Sequence, residues 1–212
     1  MTELDWANVK AELDHVLWIC GGTNAGKTTI TRRLGKEFGF QCYHSDDEHS
    51  RHIELATEER TPLMWHQQQL GEEGRVSDWF NALNPEEMAR GGIELGAEVL
   101  LMVIDDLMAM PKDTRIVVDL VNANPEVLLR AADVHNLVFL VATDSFQRQT
   151  IEDHDGESAR KIGENVYDGL RLHNEIFRKE AKSLGLRLIA TGGEMTEDEV
   201  YAEVCRHFGL GF

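Results

Sequence analysis

The sequence predicts an α/β fold, a five-stranded parallel sheet with helices on both faces and one helical insertion, and three observations predict it. Short apolar runs alternate with helical patterns through most of the chain. The first of these runs leads through a glycine-rich loop directly into a helix. Residues 48–112, by contrast, contain no strand-like run.

The glycine-rich loop organises the rest. Val16-Leu17-Trp18-Ile19-Cys20 precedes Gly21-Gly22-Thr23-Asn24-Ala25-Gly26-Lys27-Thr28-Thr29, which contains Gly21-x-x-x-x-Gly26-Lys27-Thr28. Glycines at both ends let the backbone curl with its N–H groups inward, and the helix starting near Lys27 adds its positive end, so the loop forms a nest for polyphosphate. Residues 21–29 are therefore expected to bind ATP, with Lys27 bridging the outer phosphates and the Thr28 hydroxyl on Mg²⁺.

Residues 3–14 have the pattern of a short amphipathic helix. After the loop, Ile30, Leu34 and Phe38 recur at helical spacing and Gly39 supplies the stop, before a second strand, Phe40 to Ser45, ends in Asp46-Asp47. Within 48–112, Thr61-Pro62 starts one helix, and Asn84-Pro85-Glu86-Glu87 starts another through a capping box. That second helix carries Ile93, Ala97, Leu100, Leu101, Ile104, Leu107 and Met108 as an apolar face, for the core or for a homodimer, and Pro111 ends it. The stretch 48–83 has the weaker core signal and faces the substrate. Ile116 to Val121 is a third strand, Asn124-Pro125-Glu126 caps a helix, and Leu137 to Ala142 is a fourth strand. Ser145 to Leu184 is helical with a polar interruption at 152–163, so residues 150–165 are a candidate lid. Leu186 to Ala190 is the fifth strand, and Thr196-Glu197-Asp198-Glu199 boxes the start of a terminal helix.

The 212 residues are expected to form a single domain. Twenty-one basic against 38 acidic residues give a charge of −17, which opposes long nucleic acid and anionic membranes as partners. No apolar stretch approaches the ~18 residues of a membrane span, and the N-terminus lacks a signal pattern. Cys20, Cys42 and Cys205 lack metal-ligand spacing and read as reduced thiols, which suggests the cytoplasm. The nine histidines form no zinc-ligand cluster.

In an open parallel sheet, ligands gather beyond the C-terminal ends of the strands. Those positions here hold residues 21–28, Asp46-Asp47, Asp119 to Asn124, Thr143 to Arg148 and Thr191-Gly192-Gly193. Carboxylates beside a phosphate loop suit phosphoryl transfer to a hydroxyl, a reaction that works by positioning and charge neutralisation. Asp46 is the candidate base orienting the acceptor; plain helix capping is the alternative for it and for Asp47. Arg51 either clamps an anionic acceptor or pairs with Asp47 one helical turn away. Asp119, read as ending its strand, is a candidate Mg²⁺ ligand or a cap of the following loop. Arg148 and Arg160 are candidate catalytic cations, the second on the lid, where solvated surface is the alternative reading.

The phosphate loop, the order of elements and Tyr43-His44-Ser45-Asp46 resemble the small-molecule kinases of the P-loop class, the shikimate, gluconate and nucleoside monophosphate kinases. Shikimate kinase has a Tyr-Asp-Ser-Asp run here whose acidic residue binds the substrate hydroxyl. Asp46 matches the last Asp of that run, while His44 replaces the first. The family's glycine triplet after the third strand is replaced by Asp119-Leu120-Val121-Asn122-Ala123-Asn124. The resemblance implies a three-layer fold with strand order 2-3-1-4-5, adenine between the Arg148 region and Thr191-Gly192-Gly193, and a small-molecule acceptor under residues 48–83. The expected function is ATP- and Mg²⁺-dependent phosphorylation of a small metabolite; an ATP-binding regulatory module or an ATPase without an acceptor is the alternative.

Overall fold

The structure, a computed structural model, describes residues 4–155 and 164–211. Five strands, β1 (Val16–Gly21), β2 (Gln41–His44), β3 (Ile116–Val121), β4 (Leu137–Ala142) and β5 (Arg187–Thr191), form one sheet in the order β2-β3-β1-β4-β5. Every pairing is parallel. Strands buried on both faces read as unbroken apolar runs, and β1 and β4 are buried at all six positions. The fold is the three-layer α/β architecture with strand order 2-3-1-4-5. The second strand spans Gln41–His44, within the expected Phe40 to Ser45, and the Ser45 N–H still bonds the Asp119 carbonyl at 3.0 Å.

Side chains alternate across the sheet and so build two cores. Val16, Trp18 and Cys20 of β1 face one side, with Leu100, Ile104 and Leu107 of α6 (Pro85–Ala109) and Phe177 of α9 (Glu164–Ser183). Leu17 and Ile19 face the other, against Ile30 and Leu34 of α2 (Lys27–Phe38) and Val200, Tyr201 and Val204 of α10 (Glu197–His207). Each such fully buried side chain contributes about 1.5–3 kcal/mol of transfer free energy. The remaining helices are α1 (Trp6–Glu12), α3 (His49–Leu55), α4 (Pro62–Glu72), α5 (Val76–Ala82), α7 (Pro125–Ala131) and α8 (Asp144–Asp155). Among the described residues, no helix is long and apolar enough to cross a membrane.

Helix α6 is the spine of the 48–112 segment. It opens on the capping box, with the Glu87 N–H bonding Asn84 at 2.9 Å and the Asn84 N–H bonding Glu87 at 3.0 Å. Leu100, Ile104 and Leu107 of its apolar face are buried in the core, while Ile93, Ala97, Leu101 and Met108 are half-buried. Its acidic residues hold the neighbouring helices: Glu98 accepts the Leu63 and Met64 N–H groups at the start of α4, and Asp105 receives Arg60. Asp106 gathers Tyr43, Arg51 and His52. Helix α5 alone in this segment buries no residue.

Two glycines let α6 approach the sheet and α9 closely. A Cβ at Gly96 would stand 1.7 Å from the Asn122 carbonyl oxygen, so only glycine permits this crossing over the loop after β3. On α9, Gly169 plays the same part toward Met88, whose Sδ would lie 2.8 Å from a Cβ there.

Candidate active site

The glycine-rich loop expected to cradle phosphate runs from the C-terminal end of β1 into α2. Gly21 has φ +144°, and a Cβ there would stand 1.9 Å from the Leu140 carbonyl oxygen. Asn24 and Gly26 both have left-handed backbone, φ 59° and 80°. Asn tolerates that region better than other residues with a Cβ, and successive turns of this kind aim the N–H groups into one concavity. The floor of the concavity is Lys27, 6% exposed, whose Nζ donates to the Gly22 carbonyl at 2.8 Å. Burial pushes this ammonium below its ordinary pKa, against the opposing pull of Asp119 and Asp46.

Asp119 lies within β3, not at its end: it is the fourth of six strand residues, in register with Ile19 and His44. Its side chain reaches the Thr28 hydroxyl, which donates to Oδ2 at 2.5 Å, and His44 Nδ1 stands 3.3 Å from the same oxygen. The row His44–Asp119–Thr28 thus links three elements.

Asp46, two residues beyond β2, lines the same cavity of about 660 Å³ with Lys27, Thr28, Arg32 and Asn122. It is open to solvent within a concave wall. The protein crowding it raises its carboxyl pKa, Lys27 opposes this, and Asp119 adds to it. Beside this cavity is a second one of about 250 Å³, lined by Ala25, Gly26, Thr29, Ile30, Phe146, Thr191, Gly192 and Met195. The resemblance implies adenine between the Arg148 region and Thr191-Gly192-Gly193, and Phe146 rather than Arg148 lines this cavity.

The other expected residues lie elsewhere. Asp47 and Arg51 line a separate cavity of about 400 Å³ with Tyr43, His44 and Asp106. Arg51 pairs with Glu48, Nε to Oε2 at 2.7 Å, and with Asp106, rather than with Asp47, because Asp106 on α6 faces the start of α3. Arg148 is exposed on α8, its guanidinium 4.4 Å from the Tyr167 ring and 3.9 Å from Glu152, outside the lining of the phosphate cavity. Arg160 and the middle of the 150–165 segment lie outside the described residues.

Several residues at the site carry no motif. Gln147, 4% exposed, donates to the Thr23 carbonyl at 2.9 Å and accepts from Asn174 at 3.0 Å, so α8 and α9 brace the phosphate loop from behind. Asn174 also stands where a Gly22 Cβ would meet its Oδ1 at 2.4 Å. Asn122, φ 52°, supplies a left-handed turn after β3, where the resembled family has its glycine triplet, and its N–H bonds the Gly21 carbonyl at 3.1 Å. Arg32 brings a cation to the cavity rim from α2.

No protein-family model matches this chain, and no curated protein matches it. Solved structures do resemble it. Among them is the crystal structure of TT1252 from Thermus thermophilus, with a TM-score of 0.52 at 15% identity over 90% of this chain and 94% of that one. Likeness at that identity concerns the fold.

Proposed function

We propose that this protein is a P-loop kinase, transferring the terminal phosphoryl group of ATP to a hydroxyl of a small molecule with the help of magnesium. The observation that carries the reading is Lys27. Its ammonium is nearly buried and bonds a backbone carbonyl, and among the described residues no carboxylate lies within ion-pair distance of it. A buried cation of this kind needs an anion, and the surrounding loop has the curvature that cradles phosphate.

The donors near Lys27 fit magnesium. Thr28 and Asp119 offer one hydroxyl and one carboxylate as hard oxygen ligands, and magnesium bound with phosphates takes only one or two protein ligands of that kind. Held there, the ion would neutralise charge on the phosphates. Lys27 and Arg32 offset the charge that develops on the transferring group. The acceptor oxygen bonds to the γ-phosphorus as the bond to the β–γ bridging oxygen breaks. ADP leaves with that electron pair, and Asp46 takes the acceptor's proton. A carboxyl raised above its ordinary pKa is the better base for this step. The free cysteines fit a reducing compartment, and we assign the protein to the cytoplasm.

The test is ADP release with magnesium and ATP over a panel of sugars, nucleosides, cofactors and aromatic alcohols. At least one class should stimulate turnover and yield a phosphate ester by mass spectrometry, and Asp46→Asn should remove the stimulation. Slow ADP release that no panel member stimulates would favour an ATPase or nucleotide-gated module instead.

A further inference from the structure

A cavity of about 560 Å³ between α5, α6 and α9 differs in kind from the phosphate cavity. Trp79, Phe80, Leu83, Met88, Leu95 and Leu170 form most of its wall, and among the described residues none that line it is charged. Small-molecule sites run to about 300–1,000 Å³ and are mostly apolar with a few placed polar groups. Gly91 and Gly92 of α6 open the space, and α5 lies across it with Phe80 37% exposed.

One end of this cavity is polar, and it is the end that meets the phosphate loop. Thr23 and Asn122 line both cavities. Beside them stands His173, 4% exposed, its ring centroid 4.8 Å from that of Phe177 with the planes tilted by 38°. Its Nε2 and the Asn122 Oδ1 have no hydrogen-bond partner among the described residues. Two buried polar atoms left unpaired at one end of an apolar chamber are costly unless a ligand satisfies them.

We propose that this chamber holds the body of the phosphoryl acceptor, and that the acceptor is an uncharged, largely apolar compound carrying a hydroxyl, read by His173 and Asn122. The assignment rests on the kinase reading above. The hydroxyl passes between Thr23 and Asn122 toward Lys27, while the apolar body stays between α6 and α9 under Trp79 and Phe80. Anionic sugars and nucleotides are disfavoured as acceptors, because no charged side chain among the described residues lines the chamber to offset a carboxylate or phosphate on the buried body. Burial and the nearby Lys27 hold His173 down to about 4, so the imidazole is neutral and offers one donor and one acceptor.

The test uses two probes of matched shape, naphthaleneethanol and naphthaleneacetate, titrated calorimetrically into the whole protein with a magnesium-bound, non-hydrolysable ATP analogue present. The alcohol should bind at least about tenfold more tightly than the acid, a difference of about 1.4 kcal/mol. Gly91→Leu fills the chamber, since a Cβ at Gly91 meets nothing within 4 Å, and it favours the helix. It should weaken the alcohol at least about tenfold and leave analogue affinity unchanged. Equal affinity for both probes, or alcohol binding indifferent to Gly91→Leu, would overturn the acceptor assignment while analogue binding stands. Absence of analogue binding in the unaltered protein would instead bring down the kinase reading beneath it.

Discussion

The Thr28 hydroxyl and the Asp119 carboxylate meet at 2.5 Å although 91 residues separate them in the chain. The first turn of α2 and the middle of β3 are thereby joined at the floor of the phosphate loop. If that pair holds magnesium, Asp119→Asn should raise the magnesium concentration needed for half-maximal ADP formation by about 10- to 100-fold. Thr28→Val should do the same. A magnesium titration of turnover checks both, and unchanged dependence in both variants would remove the metal role.

Asp46 should set the acid limb of the reaction. Its carboxyl pKa is raised because the protein wall around it displaces part of the water from the charged form, so the carboxylate protonates, and turnover falls, at a higher pH than for an ordinary aspartate. A pH profile of kcat should show that limb, and Asp46→Asn should abolish it while lowering kcat by about 10²- to 10⁴-fold. Nucleotide affinity should change little.

His173 should make the fold acid-sensitive. Its value of about 4 in the folded chain lies below its ordinary 6.5, so between those values the unfolded chain binds a proton that the folded chain does not. Stability from this group is therefore complete above about pH 6.5 and is lost as pH falls toward about 4, to an extent of at most about 3 kcal/mol. His173→Gln should flatten that part of the curve. Urea denaturation across the window measures it, and parallel curves for the two proteins would contradict the assignment.

Gly96 should be among the least replaceable residues. Because its Cβ would fall 1.7 Å from the Asn122 carbonyl oxygen, Gly96→Ala must push α6 off the loop after β3. An overpacking cost of about 1–3 kcal/mol is expected in denaturant unfolding, despite alanine's better helix propensity.

The sheet was legible because β1, β3 and β4 are buried on both faces and so spell unbroken apolar runs between helical patterns. Both capping boxes, at Asn84 and Thr196, were legible for the same local reason: the bonds that make them span three residues. The phosphate loop was read in a strand-to-helix setting, and the chain folds it in that setting. The ion-pair alternative for Arg51 names Asp47, whereas the side chain pairs with Glu48 three residues back and with Asp106, 55 residues away on α6, a partner that no local pattern shows. Asp119 was read as a strand end because a carboxylate is uncommon inside an apolar strand, and its partners Thr28 and His44 become visible only once the sheet is paired. His173, Asn174 and Gln147 carry no motif. Gln147 of α8 bonds the loop, Asn174 of α9 bonds Gln147, and His173 shares a cavity wall with Thr23, contacts between segments far apart in the chain that no local pattern announces.

The most direct test of the account is a calorimetric titration of the whole protein with a non-hydrolysable ATP analogue, with and without magnesium, beside Lys27→Ala. The account predicts saturable, magnesium-dependent binding that Lys27→Ala weakens by at least about 10²-fold. No heat of binding in the unaltered protein, or equal affinity in Lys27→Ala, would contradict it.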